Sequence, residues 1–253
     1  MTTLWDTHCH LTAYERPGEV MVQAAAAGVG IVAVSEDPGQ YRVLRARLGK
    51  RPGVEAALGM HPLHAASFTP ADLARFLRLL PEARWIGEIG LDFSPAGRTS
   101  RRAQLRIFEA ILSDPRCASH PMTVHSRGAE PETIQRLAQA RATRAILHWY
   151  TGPAALLDTA LEAGLWFSVN TAMAHSPRAQ PLLQTLPRHR VLLETDGPFA
   201  RHRGRPSTPG DLPAVITRLA TLWSLDETAA RRQLTLNQAT FFPPPSATGP
   251  PPP

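Results

Sequence analysis

The sequence predicts an α/β fold of the (β/α)₈ TIM-barrel type. Short apolar runs rich in β-branched residues alternate along the chain with longer stretches of helical spacing. Eight such runs within about 240 residues match the strand number and length of this barrel. The predicted strands are Leu4–Cys9, Val29–Ser35, Glu55–Gly59, Arg84–Ile89, Met122–His125, Ala145–His148, Trp166–Val169 and Val191–Thr195. The competing architecture is an open doubly wound sheet, but no Gly-x-Gly-x-x-Gly motif follows the first strand.

Amphipathic stretches between these strands predict the helices of the outer layer. They include Ala71–Leu80, Arg102–Leu112, Glu132–Arg141, Ala154–Ala163 and Leu212–Trp223. Thr69 followed by Pro70 marks a helix start, because threonine caps a helix and proline suits its first turn. We expect one domain over residues 1–240. Residues 241–253 are rich in proline and predict an extended, disordered tail, with partner binding as the alternative.

The composition argues against a membrane protein or a secreted one. No apolar run reaches the roughly 18 residues needed to span a bilayer, and no basic segment followed by an apolar one opens the chain. The two cysteines, Cys9 and Cys117, are far apart, so no disulfide framework is expected. With 43% apolar residues, the chain is expected to be a cytoplasmic protein with a large core.

Histidines and carboxylates collect where the predicted strands end. In a parallel barrel all carboxyl ends of the strands open on one face, so these side chains should converge there. His8 and His10 share one face of the first strand because side chains alternate. The sequence therefore predicts a metal centre at this end of the barrel. The candidate ligands are His8, His10, Glu88, His125, His148 and Asp196.

Six such ligands are too many for one tetrahedral ion that must keep an open position. They suit two divalent ions, roughly 3.5–4 Å apart and bridged by a carboxylate. Glu88 is the expected bridge, because its strand lies midway around the ring. A carboxylated lysine bridge is excluded, since Lys50 is the single lysine and follows no predicted strand. The ligand types favour Zn²⁺ or Mn²⁺.

Taken in order, the motifs at the strand ends resemble those of the TatD-type metal-dependent deoxyribonucleases of the amidohydrolase superfamily. The motifs are Asp6-Thr-His-Cys-His10, Gly59-Met-His-Pro62, Gly87-Glu-Ile-Gly-Leu-Asp92, Val124-His-Ser-Arg127, His148-Trp-Tyr-Thr-Gly152 and Glu194-Thr-Asp-Gly-Pro198. The resemblance implies a TIM barrel that hydrolyses DNA phosphodiester bonds from the 3′ end, with Mg²⁺ as a further usable metal. It assigns one metal to His8, His10, Glu88 and Asp196, and the other to Glu88, His125 and His148.

Glu88 and Asp196 are the expected catalytic residues. Asp196 can accept a proton from the attacking water through its free carboxylate oxygen, although a purely ligating role is the alternative. Arg127 follows His125 by two residues and offers a guanidinium fork to a phosphate. His61, His64 and Asp92 are further expected substrate contacts.

Arginines after the last strand extend the expected substrate surface. The formal net charge is +6, almost all of it from arginine, which by itself indicates an anionic partner only weakly. Arg201, Arg203 and Arg205 begin a few residues beyond Asp196, beside the mouth, and should bind a phosphate backbone unless they form a solvated face. The aromatic residues Trp149, Tyr150 and Phe93 could stack on bases or simply pack.

Three segments most resemble the QatD subgroup, the TatD-like component of a four-part bacterial anti-phage system. They are Ile146–Gly152, Trp166–Val169 and Val191–Phe199. This resemblance implies partner proteins, including an ATPase and a queuosine-synthesis-like enzyme. Two other functions stay open: hydrolysis of a non-nucleic-acid ester, amide or lactone on the same metals, and a mainly structural role in a complex. The basic mouth favours DNA over a neutral substrate.

Overall fold

Eight parallel strands form a barrel in which each strand pairs with the next one along the chain. The computed structural model describes residues 4–49 and 51–242. The strands are β1 (Leu4–Cys9), β2 (Val29–Ala33), β3 (Val54–Leu58), β4 (Trp85–Gly90), β5 (Met122–His125), β6 (Ala145–Leu147), β7 (Trp166–Val169) and β8 (Val191–Leu193). The predicted (β/α)₈ fold is confirmed, with strand ends shifted by one or two residues.

Residues just beyond β8 bring the ring almost to closure. The Asp196 N–H donates to the carbonyl of His8 at 2.9 Å, and the His10 N–H donates to the carbonyl of Gly197 at 2.9 Å. The Thr7 hydroxyl also donates to the carbonyl of Leu193 at 2.9 Å. The first and last strands are therefore joined at the end where the histidines lie.

Within the described residues, ten α-helices surround the sheet or follow it. They are α1 (Pro17–Ala26), α2 (Pro38–Leu48), α3 (Pro70–Leu79), α4 (Arg101–Leu112), α5 (Glu130–Gln139), α6 (Leu157–Glu162), α7 (Thr171–His175), α8 (Gln180–Thr185), α9 (Leu212–Trp223) and α10 (Glu227–Phe241). Thr69 caps α3 in a reciprocal capping box with Asp72. The predicted helix at Ala154 begins as a 3₁₀ turn, Ala154–Leu156, before α6.

A short antiparallel hairpin follows β8. Its strands are β9 (Arg201–His202) and β10 (Arg205–Pro206). Arg203 and Gly204 connect them with φ values of 48° and 81°. A two-residue hairpin turn with positive φ at both positions matches the right-handed twist of the strands.

The barrel interior is apolar below the end that carries the histidines. Ile146, Trp166 and Leu192 belong to one buried cluster, which Phe241 at the end of α10 completes. Each of these three strand residues lies two positions before a polar residue of the site, so they share its face of the sheet. This cluster forms the floor on which the site residues stand.

The expected tail begins inside this cluster. Phe241 is the last residue of α10, and its ring lies 5.4 Å from that of Trp166. Phe242 packs on Trp85, with ring centroids 5.2 Å apart. The rest of the expected tail, residues 243–253, lies outside the described residues.

Across residues 4–49 and 51–242, no helix has both the length and the apolar character needed to cross a bilayer. Cys9 and Cys117 are both buried as free thiols.

Gly59 permits a close approach of β4 to the loop after β2. A methyl group at Gly59 would lie 1.7 Å from the carbonyl oxygen of Ser35 and 2.7 Å from the Glu88 nitrogen. We predict that Gly59→Ala lowers the free energy of unfolding by about 1–3 kcal/mol or more, because the backbone has no room to give way. Urea denaturation followed by circular dichroism measures the change.

Gly18→Ala is the matched control. Gly18 lies in the first turn of α1, and nothing lies within 4 Å of its added methyl group. This variant should be neutral or stabilised by up to about 1 kcal/mol. Equal stability of the two variants would contradict the packing argument.

Candidate metal centre

A single buried carboxylate, that of Glu88, lies at the centre of the site. Its side chain is 1% exposed. Its Oε2 atom faces three imidazole Nε2 atoms, at 3.4, 3.2 and 3.2 Å, which belong to His8, His10 and His61. These side chains come from β1 and from the loop after β3, so two parts of the barrel meet at one carboxylate oxygen.

The other oxygen of the same carboxylate faces a different pair of histidines. Glu88 Oε1 lies 2.7 Å from His125 Nδ1 and 2.9 Å from His148 Nε2. The two imidazole nitrogens are themselves 3.3 Å apart. His125 ends β5 and His148 follows β6, so this half of the cluster comes from the opposite side of β4 from β1.

Asp196 contacts the first of these two groups. Its Oδ1 atom lies 3.5 Å from His8 Nε2 and 3.4 Å from His10 Nε2. The residue has φ 47°, a left-handed conformation that aspartate tolerates better than most residues. The structure thus brings all six predicted ligands together at one end of the barrel.

The donor set fits divalent cations. Glu88 Oε2 is buried and has no hydrogen-bond partner within the described chain, although three imidazole nitrogens surround it. A buried carboxylate oxygen without a hydrogen-bond donor lowers the stability of the fold unless a cation binds it. Imidazole nitrogens and carboxylates are ligands of Zn²⁺ and Mn²⁺. Three groups bring their ligand atoms within 4.8 Å of one another: His8–His10–Glu88, His61–Glu88–His125 and His8–His148–Glu194.

The carboxylates and histidines of the site have shifted pKa values. Burial raises the pKa of Glu88, but the charges of His61 and His148 outweigh burial and hold that pKa well below its usual range. Burial lowers the pKa of His8 to about 3, which leaves its imidazole neutral. Burial raises the pKa of Asp196, yet the hydrogen bond from His10 and nearby charges lower it overall. The site therefore offers ionised carboxylates and the neutral imidazole of His8. Burial lowers the pKa of His10 and of His125, but hydrogen bonds to neighbouring carboxylates raise these two pKa values overall, to about 10 and about 9. Those two imidazoles must therefore lose a proton when a cation binds them.

A second layer of side chains orients two of the histidines. His8 Nδ1 lies 2.6 Å from the hydroxyl of Thr123. His125 Nε2 lies 2.8 Å from Asp92 Oδ2, and the Ser94 N–H holds the other Asp92 oxygen at 2.8 Å. Asp92, expected as a substrate contact, thus contacts His125. Such outer partners fix the ring orientation of ligating histidines.

Glu194 is a buried carboxylate that the sequence analysis did not single out. Its Oε1 accepts the Trp149 N–H and the Asn170 side-chain amide, both at 3.0 Å. Its Oε2 accepts the Ser168 hydroxyl and lies 3.7 Å from His148 Nδ1. Burial raises its pKa to about 7. The available signal was its spacing: it directly follows β8, two residues after the buried Leu192 and two residues before Asp196.

Asp6 of the first motif holds the backbone and does not face the cluster. It accepts the Thr195 N–H at 2.9 Å and the Thr195 hydroxyl, and also the His8 N–H at 3.2 Å. Burial raises its pKa to about 8. The residue therefore ties β1 to the segment after β8.

The cluster opens into a cavity of about 750 Å³, the size of a small-ligand pocket. Four of the expected substrate residues, Arg127, His61, His64 and Asp92, line its walls. Arg127 is exposed, and within the described ranges no side chain pairs with its guanidinium. His64 Nε2 lies 3.1 Å from Glu36 Oε2. The Arg127 guanidinium is therefore an unpaired positive charge on the cavity wall.

The arginines after β8 lie on the hairpin and not among the residues that line the cavity. Arg205 forms a two-pronged ion pair with Asp211, at 2.9 and 2.6 Å. Arg201 donates to the carbonyl of Gly204. Arg203 is exposed in the turn. Two of the three guanidinium groups are thus engaged within the chain.

The three aromatic candidates differ in their surroundings. Trp149 is half-buried and lines the cavity. Tyr150 is buried, packs against Phe167 and donates its hydroxyl to the carbonyl of Pro153, so it is a packing residue. Phe93 is partly buried, with the Arg101 guanidinium 4.3 Å from its ring centre.

Several known proteins are similar to this chain in sequence and in fold. A family model for TatD related DNase matches residues 5–243. The human deoxyribonuclease TATDN3 is 32% identical over 215 residues, which are 77% of this chain and 78% of that protein. The metal-dependent hydrolase YabD of Bacillus subtilis is 27% identical over 232 residues, 87% of this chain and 91% of YabD. The TatD homologue YJJV of Escherichia coli has the same fold, with a TM-score of 0.84 at 24% identity, covering 96% of this chain and 98% of YJJV.

Glu88→Gln tests whether the carboxylate holds cations. After chelator treatment, we predict that Zn²⁺ or Mn²⁺ raises the melting temperature of the wild type, because a cation binds only the folded cluster. Glu88→Gln should weaken the affinity by at least about 100-fold, beyond the 10–100-fold typical for loss of an outer partner. Isothermal titration calorimetry and bound-metal analysis measure both effects.

Glu162→Gln is the matched control, since Glu162 is exposed at the end of α6. It should bind metal as the wild type does. If Glu88→Gln also bound metal with wild-type affinity, the carboxylate would not be a ligand.

Proposed function

The chain belongs to the TatD related DNase family, and from that premise we propose that it removes nucleotides from the 3′ end of DNA with two divalent cations. One observation carries the two-cation proposal: the two oxygens of Glu88 face two separate sets of imidazoles. A carboxylate placed in this way suits a bridge between paired cations. The comparisons directly support a more general activity, that of a metal-dependent hydrolase of the TatD type.

The residues divide into two ligand groups. His8, His10 and Asp196 would hold one cation at the Oε2 side of Glu88, and His125 and His148 would hold the other at the Oε1 side. When bound, the cations acidify a water molecule and neutralise the charge that develops on the phosphate oxygens. The protein contributes the fixed positions of these ligands, which the outer contacts of Thr123 and Asp92 maintain.

Asp196 is proposed as the proton acceptor. Its Oδ1 faces His8 and His10, while the residue also lines the cavity. Burial and hydrogen bonding leave its pKa below the usual value, so the carboxylate is ionised at neutral pH. Its second oxygen is the group available to take a proton from the attacking water.

Arg127 is proposed as the main phosphate contact outside the ligands. Its exposed guanidinium lines the cavity without a partner among the described side chains. A planar fork of this kind binds a phosphate through two hydrogen bonds. His61 and His64 are proposed as further contacts, and Arg203 as a contact to the backbone beyond the mouth. A neutral ester, amide or lactone would leave the Arg127 charge without a role.

We predict that the purified protein with Mn²⁺ or Mg²⁺ shortens 5′-labelled DNA progressively from its 3′ end. His125→Ala should lower kcat/KM by about 1,000-fold, because metal-assisted stabilisation of the transition state amounts to several kcal/mol. His189→Ala, an exposed histidine before β8, should retain full activity. The measurement is a denaturing gel time course on single- and double-stranded substrates.

Parallel assays separate the competing reactions. A chromogenic phosphodiester and a chromogenic carboxyl ester are offered to the same enzyme. Cleavage of the carboxyl ester without cleavage of DNA would replace the nuclease by another hydrolase. Cleavage of DNA that His125→Ala leaves unchanged would point to a contaminating nuclease.

We further propose that the chain acts in a multi-protein anti-phage system with an ATPase and a queuosine-synthesis-like enzyme. The support is the resemblance of segments 146–152, 166–169 and 191–199 to the QatD subgroup. Two of these segments carry His148 and Asp196, so the resemblance lies at the site itself.

In bacteria that carry the complete system, the tagged chain should co-purify with both partners. We predict that His125→Ala abolishes protection in a phage plaque assay but does not dissociate the complex. The substitution removes the chemistry of the site and leaves the outer surface that contacts the partners unchanged. His189→Ala again serves as the control. Full protection by His125→Ala would favour a structural subunit, and absence of both partners would refute the assignment.

A further inference from the structure

We propose that Leu63, Trp149 and Phe199 form an apolar rim that binds the unpaired base of the terminal nucleotide. This inference rests on the proposed nuclease function and adds a base subsite to it. All three residues line the cavity above the metal cluster. Phe199 is the principal member, because its ring is aromatic and accessible.

Two exposed apolar side chains lie together at this cavity. The large hydrophobic residues that stand exposed in the described chain are Val22, Val43, Leu63, Phe199 and Leu236. Two of them lie at the cavity: Leu63 is 41% exposed and Phe199 58% exposed. Apolar side chains grouped at the rim of a pocket typically mark a binding surface, whereas single ones elsewhere need no explanation.

Phe199 is fixed against the metal cluster. Its N–H donates to the carbonyl of Asp196 at 2.9 Å. Its ring stands edge-on to the imidazole of His10, with centroids 4.8 Å apart and planes at 78°. This is a favoured aromatic geometry that holds one edge of the ring and leaves the rest accessible. A base stacked on Phe199 would therefore lie next to a ligand of the proposed cation.

Trp149 is held in a conformation that bulky residues avoid. Its φ is 40°, in the left-handed region where a tryptophan is a genuine outlier. The bond from its N–H to buried Glu194 keeps it there. Because strained residues cluster at ligand-binding positions, the turn after β6 is consistent with a binding role for this side chain.

The combination of groups matches a nucleotide. The metal cluster and Arg127 supply positive charge for a phosphate, while the apolar rim supplies flat surface for a base. Stacking on aromatic side chains is tolerant of sequence, since every base has a π-face. A terminal base pair must open before its base can reach such a surface. The rim therefore implies a preference for single-stranded 3′ ends with little base specificity.

The test compares two single-stranded oligonucleotides that differ only at the 3′ terminus. One ends in thymidine, and the other ends in an abasic tetrahydrofuran residue. We predict that the wild type cleaves the abasic end with a kcat/KM roughly 5- to 150-fold lower, the range that stacking of one base provides. Phe199→Ala should lose the same factor on the thymidine end and nothing on the abasic end.

Two further variants serve as controls. Phe199→Tyr keeps the ring and should restore the preference for the thymidine end that Phe199→Ala loses. Leu236→Ala removes an exposed apolar side chain of α10, away from the cavity, and should cleave both ends normally. Equal cleavage of both ends by the wild type, or an equal loss on both ends in Phe199→Ala, would overturn the base subsite and leave the nuclease intact.

A binding measurement keeps the two proposals separable. A phosphorothioate-protected oligonucleotide ending in 2-aminopurine reports stacking through quenching of its fluorescence. If the wild type quenches the fluorescence and Phe199→Ala does not, the result supports base binding at the rim. This holds even if no DNA is cleaved, and in that case only the nuclease proposal fails. Binding without quenching in the wild type would refute the rim.

Discussion

The rest of the site depends on one buried negative charge, the carboxylate of Glu88. An isolated carboxylate at this depth would be very unfavourable. Here it is surrounded by imidazoles from several parts of the barrel: His8, His10, His61, His125 and His148. These imidazoles cannot all be protonated, because their nitrogens approach one another as closely as 3.2 Å. Divalent cations would resolve this conflict, since they would satisfy the carboxylate and the lone pairs of neutral imidazoles together.

The contacts that close the barrel also build the site. The Asp196 N–H that joins the segment after β8 to β1 is bonded to the carbonyl of His8. Asp6 and Thr195 add a side-chain link at the same place. On the other side, Gly59 lets the Glu88 N–H reach the carbonyl of Ser35 at 3.1 Å. The same contacts therefore close the ring and position the predicted ligands. A substitution that loosens the ring is expected to displace these ligands as well.

Features that follow from local pattern could be read from the sequence. Eight apolar runs gave the strands, because strand periodicity and barrel topology are properties of the chain order. The six predicted ligands lie together, because parallel strands end at one face. The exact strand ends differ by one or two residues, such as Ala33 in place of Ser35 for β2, since the apolar pattern continues beyond the last ladder bond. The hairpin of β9 and β10 has strands too short to produce a pattern.

Features that depend on contacts between distant side chains could not be read in this way. The sequence places Asp92 near the mouth, but only the fold shows that it meets His125. It marks Arg205 as a basic residue, yet six residues later Asp211 pairs with it. Glu194 was not predicted as a site residue, because Asp196 was taken as the ligand of the same motif. The spacing of two residues between them nevertheless indicates that both side chains point to one side.

The rim of the cavity and the cluster of predicted ligands beneath it therefore differ in character. The cluster is charged and tightly bonded, so it could hold cations and a phosphate without rearrangement. The rim includes exposed apolar side chains, Leu63 and Phe199, that gain by being covered. Meanwhile Arg205 is paired with Asp211, which reduces the positive charge available outside the mouth, and Arg201 is held by the carbonyl of Gly204. The proposed recognition of a single nucleotide end inside the cavity thus accounts for this division better than recognition of a long duplex along the surface. A duplex would need several free cations, and Arg203 alone among the three arginines after β8 has no partner within the described residues.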